Sequence, residues 1–218
     1  MFRALVAALA VAAALPAGAG PWSHVETAAD PSEPAAPKPG SPLDVTRSFY
    51  RALHAGDAAK AARLTAGNTK PSLEAFVRIA RAHRDLEAAV ARRFGRDEAG
   101  LVGYGSRVQA EAKALLGAEE EIDGDEARVT SLDGRILATL RRVGKAWKVE
   151  LDELVVTPGG AARLSKTAAA TEAEERRVVA GIRAGKYADA ESAVLDFQQR
   201  VAKATQAAEA QEEEGTPL

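Results

Sequence analysis

Apolar residues follow two different periods along this chain, and the change comes at Ala118. Before that point they recur every three or four positions, which is typical of amphipathic helices, and after it they alternate with polar residues as in strands. The four-residue steps in residues 45–53 predict a first helix, which Gly56 ends. Asp57 is placed to cap a shorter second helix that reaches about residue 66.

The longest predicted helix runs from residue 73 to about residue 94, with Ser72 as its N-cap. Its apolar stripe consists of Phe76, Ile79, His83, Leu86, Val90 and Phe94. The glycine-spaced residues 95–105 predict a loop, and a further helix follows over residues 106–116.

Four strands are predicted next, over residues 119–122, 126–132, 135–143 and 146–156. Asp-Gly pairs at 123–124 and 133–134 favour tight hairpin turns, because both central positions of such a turn need a positive φ. Trp147, Val149 and Leu151 alternate with charged residues in the last strand. One face of this antiparallel meander therefore lies on a core, and the other meets solvent.

A C-terminal helical hairpin is predicted for residues 157–210. Pro158 and the two glycines after it break the sheet, Thr171 is placed to cap the first helix, and Tyr187 opens the second. The residues expected to meet between the two helices are Val178, Val179, Ile182, Val194, Phe197 and Val201. Residues 211–218 are predicted to form a disordered tail.

Residues 1–19 have the pattern of a cleavable secretory signal peptide. Arg3 precedes an apolar run over residues 4–15, and small residues follow up to Ala19. That run is shorter than the roughly 20 residues needed to span a bilayer, so we expect a soluble periplasmic or secreted protein with no membrane insertion after cleavage. Residues 20–42 are rich in proline, alanine and acidic residues, which predicts a disordered linker.

Two segments carry a family resemblance. Residues 44–57, DVTRSFYRALHAGD, resemble the opening helix of NTF2-like domains (SnoaL-like, cystatin-type cone), with their Phe-Tyr pair and Gly-Asp stop. Residues 144–151, GKAWKVEL, resemble the closing strand of that family. The resemblance implies that residues 43–156 form one α+β domain, in which a curved antiparallel sheet wraps around the long helix as an open-mouthed cone. The predicted hairpin at 157–210 is outside that domain.

Composition removes several classes of chemistry. There are no cysteines, which excludes disulfides, thiolate metal ligands and a lipid-anchoring cysteine. The 29 basic residues are balanced by 31 acidic ones and aromatic residues make up only 5% of the chain, so we expect no nucleic-acid partner. The three histidines lack a ligand spacing, which argues against a metal site. Gly100, Gly103 and Gly105 match no nucleotide-binding spacing, and no cofactor is predicted.

No catalytic residue is assigned, and His83 is the candidate that comes nearest. An imidazole titrates near neutral pH, and His83 lies on the helix that a cone would wrap. It is either a general base inside the cavity or a hydrogen-bonded core histidine, and the second interpretation is favoured. Tyr50, His83 and Tyr104 are the candidate ligand-binding residues, with Tyr104 placed at the mouth of the cone.

Three functions are compatible with these observations. The leading hypothesis is an exported, non-catalytic binding or interaction module with a protein partner or a small hydrophobic ligand. The first alternative is a small-molecule enzyme of the SnoaL or isomerase type, using His83 and a carboxylate in the cone cavity. The second is a homo-oligomeric structural protein of the envelope, since cone domains often form homodimers through their open sheet faces. A deep pocket with two or more titratable groups would favour the enzyme, and an exposed apolar sheet face would favour assembly.

Overall fold

The computed structural model of this protein describes residues 38–151 and 158–214. Outside the described residues lie the predicted signal peptide (1–19), residues 20–37 of the predicted linker, residues 152–156 of the last predicted strand and residues 215–218 of the predicted tail. The described residues form seven α-helices and one open four-stranded antiparallel sheet, which agrees with the predicted α+β class.

The first helix, α1 (Pro42–His54), begins beside the predicted start of the folded region. The Ser41 hydroxyl accepts the N–H of Asp44 at 3.3 Å and so caps the helix. A second backbone N–H in the first turn of α1 is satisfied by the sheet. Oε2 of Glu120 accepts the N–H of Leu43 at 2.7 Å. The two bonds satisfy backbone donors that every helix start leaves open, and the second one joins α1 to the sheet.

Helix α2 (Ala58–Arg63) follows the predicted corner. Gly56 has a φ of 77°, which glycine adopts without strain, and the Asp57 carboxylate caps the helix as predicted. Beyond α2, Thr65 forms an isolated parallel bridge with Val149 at the end of the last strand. This segment therefore covers part of one sheet edge.

The long helix, α3 (Lys70–Phe94), starts earlier than predicted. Its N-cap is Thr69, and the prediction that Ser72 caps it is wrong. Pro71 explains the difference, since its fixed φ and missing N–H suit the first helical turn. Ser72 is instead buried inside the helix. The helix ends at Gly95, as the pattern predicted.

The predicted glycine-spaced loop is largely helical. It contains a short helix, α4 (Arg96–Ala99), and one 3₁₀ turn (Gly100–Val102) before helix α5 (Tyr104–Leu116). Ala99 and Val102 are both buried, and Val102 packs into the same apolar cluster as the C-terminal helices. Burial of these two side chains keeps the segment ordered despite its glycines.

The predicted meander is confirmed as one sheet with the order β1-β2-β3-β4. Its strands are β1 (Glu119–Asp123), β2 (Glu126–Thr130), β3 (Ile136–Val143) and β4 (Ala146–Val149), all antiparallel. β2 and β3 are shorter than predicted, because the pairing register shifts between Val129 and Thr130. Residues 150 and 151 lie outside β4, so the predicted strand over 146–156 is confirmed only for its first part.

The two faces of the sheet differ as the alternation predicted. The buried inward side chains are Ala127, Val129, Ala138, Leu140, Trp147 and Val149, and they share one apolar cluster with Phe49 of α1. The outward face carries Arg128, Arg141 and Lys148. Helix α1 thus covers the inward face, and charged side chains occupy the outward one.

Two long helices follow, α6 (Pro158–Arg183) and α7 (Ala190–Glu214). The prediction that Thr171 caps this helix is wrong. Thr171 is a buried residue within α6, and its hydroxyl donates to the carbonyl oxygen of Thr167. Tyr187 lies before α7 rather than in it, and residues 211–214 of the predicted tail are helical. Within residues 38–151 and 158–214, no helix is long and apolar enough to cross a membrane.

Helix α3 divides its apolar stripe among three clusters. Phe76 belongs to the cluster beneath the sheet, and Ile79 packs with Ala168 of α6. Leu86 and Val90 pack with Val178 of α6 and Phe197 of α7. Partner positions rise together in sequence along α3 and α6, so these two helices run parallel. The helical layer formed by α3, α6 and α7 holds the candidate site.

Candidate functional site

Tyr50 is a buried structural residue of α1. Its hydroxyl donates a hydrogen bond to the carbonyl oxygen of Leu137 in β3 at 3.0 Å. Burial raises the pKa of Tyr50 well above its ordinary value, and the charge of Glu111 acts in the same direction. The phenol therefore stays protonated at neutral pH and fastens α1 to β3.

Tyr104 lies where α1, α3 and α5 meet. It is the first residue of α5 and is half-buried. The guanidinium carbon of Arg84 lies 5.9 Å from its ring centroid, within the range of a cation–π contact. The same guanidinium donates to the carbonyl oxygen of His54 at 3.3 Å. Arg84 therefore links Tyr104 to the end of α1.

A histidine–carboxylate pair completes this region, which we call the α1/α5 junction (Tyr50, His54, Arg84, Tyr104 and Glu111). Nε2 of His54 lies 2.9 Å from Oε2 of Glu111, and about a quarter of each side chain is exposed. Such a pair is one of the arrangements that general acid–base catalysis uses. The sequence did not single out Glu111, because its nearness to His54 depends on how α5 packs against α1.

His83 lies apart from the junction, against the C-terminal helices. Its Nδ1 lies 2.9 Å from the carbonyl oxygen of Ile79, and its ring meets that of Phe197 edge-on at 5.4 Å. Burial lowers the pKa of His83 below its ordinary value, and the charge of Arg107 adds to the effect. The imidazole of His83 is therefore neutral at neutral pH and packs on Phe197.

An open groove runs between α3 and α6 and has a volume of about 410 Å³. The residues that line it are Asp85, Ala88, Arg92, Glu175, Arg176, Val179, Ala180 and Arg183. A smaller cavity of about 190 Å³ adjoins it and shares Arg92 and Arg183. We call this surface the α3–α6 groove.

One end of the α3–α6 groove is acidic. Glu175 of α6 is only 7% exposed, and among the described residues it accepts no hydrogen bond and forms no ion pair. Burial raises the pKa of Glu175, and the charge of Asp85 on α3 raises it further. The carboxylate oxygens of Glu175 are not among the buried atoms left without a hydrogen bond, so they reach the solvent of the open groove, and the charges of Arg176 and Arg183 partly offset the rise in its pKa.

The other end of the groove is basic. The exposed side chains of Arg92, Arg93 and Arg183 line the smaller cavity together. By contrast, Arg78 of α3 and Glu172 of α6 form an ion pair, with 2.6 Å between Nη2 and Oε2. Further along the same two helices, like charges lie on opposite walls of the groove. Asp85 lies opposite Glu175, and Arg92 lies opposite Arg183.

The sequence could not indicate this groove. Arg92 and Arg93 are exposed, as charged residues on the surface of a helix usually are. The role of Glu175 depends on α6 running parallel to α3, and the expected partner of α6 was α7. In the sequence alone, nothing distinguishes Glu175 from the other charged residues of its helix.

Among the described residues, no group of three or more His, Asp or Glu side chains is arranged to hold a metal ion. The three predicted ligand-binding residues are also not brought together. Tyr50 and Tyr104 flank the α1/α5 junction, whereas His83 faces α7.

Comparison with known proteins gives no relative for this chain. No family model, no curated protein and no solved structure matches it significantly.

Proposed function

We propose that this chain is an exported, non-catalytic interaction module that binds a partner protein in the α3–α6 groove. The observation that carries the proposal is the lining of the groove, in which Asp85 and Glu175 lie at one end and Arg92 and Arg183 at the other, with no ion pair between α3 and α6 among these four residues. Natural proteins give up stability in this way mainly at functional sites. A charged groove also suits a polar protein segment better than the small hydrophobic ligand that was the other expected partner.

Export and domain organisation belong to the same proposal. The pattern of residues 1–19 supports secretion, with residues 20–42 as the linker. Residues 43–156 would form the NTF2-like unit, which the order of helices and meander supports. Residues 157–210 would be a helical hairpin added to that unit, and its helix α6 supplies one wall of the groove.

Pairing through the open sheet face receives little support from the same features. The outward face carries Arg128, Arg141 and Lys148 beside one half-exposed apolar side chain, Val143, so charged residues dominate the area that a homodimer would bury. The acidic run at 119–121 on edge strand β1 also opposes strand addition by a second copy.

Site-specific photo-crosslinking in the producing host tests the proposal. A photoreactive residue at Ala88 lies in the groove, and one at the exposed Lys145 in the β3–β4 turn is the matched control. We expect an adduct of one defined mass from position 88 and none from position 145. Equal adducts from both positions, or none from position 88, would contradict the proposal, and an adduct of two copies would point to self-association instead.

The enzyme alternative keeps one specific observation in its favour, the His54–Glu111 pair beside Arg84. This pair replaces His83 as the acid–base candidate. If the α1/α5 junction were catalytic, His54→Ala would abolish turnover of a substrate without changing adduct formation at position 88. If the interaction proposal is right, His54→Ala changes only stability.

A further inference from the structure

We propose that residues 104–113 of α5 form a lid over the end of α1, and that this lid opens by local unfolding while the rest of the described protein stays folded. The inference goes beyond the proposed function, because the residues that line the α3–α6 groove all belong to α3 and α6. It rests on the way α5 is attached to its neighbours. Apolar side chains anchor the chain on both sides of the lid, and polar contacts hold the lid itself.

Apolar burial in α5 is confined to its C-terminal end. Of the 13 residues of this helix, only Leu115 is buried, and it packs into the cluster beneath the sheet together with the partly buried Ala114. Just before the helix, Val102 is buried in the separate cluster of the C-terminal helices. Helices are held in proteins mainly by the packing of an apolar face, so residues 104–113 are weakly attached between two firm anchors.

The start of the lid is held by a carboxylate from another helix. Oε2 of Glu87 on α3 accepts the N–H of Gly105 at 3.0 Å. Gly103 precedes α5 and has no side chain with which to cap it, so Glu87 supplies the acceptor that a helix start needs. A negative charge at this position also interacts favourably with the helix dipole. A Cβ on Gly105 would lie 2.9 Å from Oε1 of Glu87, so the glycine permits this close approach.

The middle of the lid is held by Glu111, and the geometry of this contact is poor. Oε2 of Glu111 lies 2.9 Å from Nε2 of His54, but the two groups are not aligned for a hydrogen bond. Nε2 of His54 is nevertheless shielded from solvent, and among the described residues it has no other hydrogen-bond partner. A buried polar atom without a hydrogen bond lowers stability. Opening of the lid lets water reach Nε2, so the closed position is only weakly favoured here.

The remaining contact of the lid is the ring of Tyr104. The guanidinium of Arg84 lies over this ring at 5.9 Å from its centroid and also donates to the carbonyl oxygen of His54. The hydrogen bond joins α3 to α1 and does not involve the lid, so it persists when the lid opens. The open state therefore keeps the end of α1 in place and uncovers the imidazole of His54 beside Arg84.

Native-state hydrogen exchange of the full chain, followed by NMR, tests the inference. The probes are the amides of residues 108–113, and the references are the amides of Val129 in β2 and Val178 in α6, two residues with buried side chains. We expect the lid amides to be protected, but about a hundredfold less than the references. Equal protection would mean that α5 opens only when the whole protein unfolds. A complete lack of protection would mean that no closed lid exists, and either result would overturn the inference.

A variant tests the contact at the start of the lid. Glu87→Ala removes the acceptor of the Gly105 N–H and should make the lid amides exchange about tenfold faster, with no change at Val129 and Val178. Gln109→Ala on the exposed side of α5 is the control, and the lid should exchange at the same rate or more slowly in this variant. Unchanged lid exchange in Glu87→Ala would contradict the role given to Glu87. An equal loss of protection at the two references would show that Glu87 supports the whole fold, and it would also overturn the inference.

Discussion

At the scale of the residue, the two mostly buried glutamates of α6 differ in their surroundings. Glu175 is 7% exposed, lines the α3–α6 groove, and forms no hydrogen bond or ion pair among the described residues. Glu174 has two arginines close by. Nη1 of Arg177 donates to its Oε1 at 2.5 Å, and Nη1 of Arg200 lies 3.6 Å from its Oε2, which is buried and accepts no hydrogen bond among the described residues.

Replacing Glu175 by glutamine should therefore stabilise the free protein at neutral pH. The pKa of Glu175 is raised on folding, so the unfolded chain loses this proton first, and stability falls as the pH rises above the ordinary value of 4.5. Thermal unfolding followed by circular dichroism at pH 4 and pH 7 should show a higher Tm for Glu175→Gln at pH 7 and a much smaller difference at pH 4. Glu98→Gln is the control, with no gain at either pH. A lower Tm at pH 7 would mean that Glu175 has a stabilising partner.

His83 should behave as a structural residue. His83→Ala removes the ring that packs on Phe197, and we expect a loss on the order of 2 kcal/mol in the free energy of unfolding. The pKa of His83 is lowered on folding, so its contribution to stability is present above pH 6.5 and is lost as the pH falls below that value. His83→Leu keeps the packing and should remove this pH dependence. Unchanged melting of His83→Ala with loss of the adduct at position 88 would instead make His83 part of the site.

At the scale of the element, the turn between α6 and α7 is held by close packing and a charged network. The Tyr187 hydroxyl donates to Oδ2 of Asp196 at 2.6 Å, and Nε of Arg200 donates to Oδ1 of the same carboxylate at 2.7 Å. Burial and the hydrogen bond to Asp196 raise the pKa of Tyr187 to about 12. The ring of Tyr187 lies so close to Gly181 that a Cβ there would come within 2.7 Å of it.

Gly181→Ala should consequently destabilise the protein, although alanine is the better helix former. Alanine in a helix gains up to about 1 kcal/mol over glycine, whereas overpacking against a fixed ring costs about 1 to 3 kcal/mol. Gly159→Ala is the matched control, because it lies in the same helix and its Cβ would meet nothing within 4 Å. Urea denaturation should give a lower midpoint for Gly181→Ala and an unchanged or higher one for Gly159→Ala. A higher midpoint for both would show that the ring of Tyr187 moves freely.

Elements were predictable from the sequence where the signal is local. Gly56 with Asp57 and the hairpin glycines fix their turns by backbone conformation, and these turns lie where they were predicted, although α2 and β2 end before the predicted residues 66 and 132. Helix starts were less predictable, since Pro71 moved the start of α3 and Thr171 has cap chemistry but lies within α6. A threonine can cap a helix or bond back to the preceding turn, and only the surrounding packing decides between the two.

At the scale of the whole molecule, the sequence predicted the layers but not their contacts. The meander with one buried face followed from alternation, as Trp147 and Val149 show. The stripe of α3 indicated a buried face without saying which element would cover it, and the sheet takes one part while α6 and α7 take the rest. The α3–α6 groove and the His54–Glu111 pair both arise from such contacts, so neither was predictable from local pattern.

The central claim is that a partner binds this protein in the α3–α6 groove, and native mass spectrometry of the chain purified gently from its own host tests it most directly. The variant Arg92→Glu/Arg183→Glu reverses exposed charges of the groove, and Arg128→Glu/Arg141→Glu makes the same change on the outward face of the sheet. We predict that the parent chain and the sheet variant retain one added mass and that the groove variant is recovered without it. Retention of the same mass by the groove variant, or no added mass on any of the three, would contradict the account.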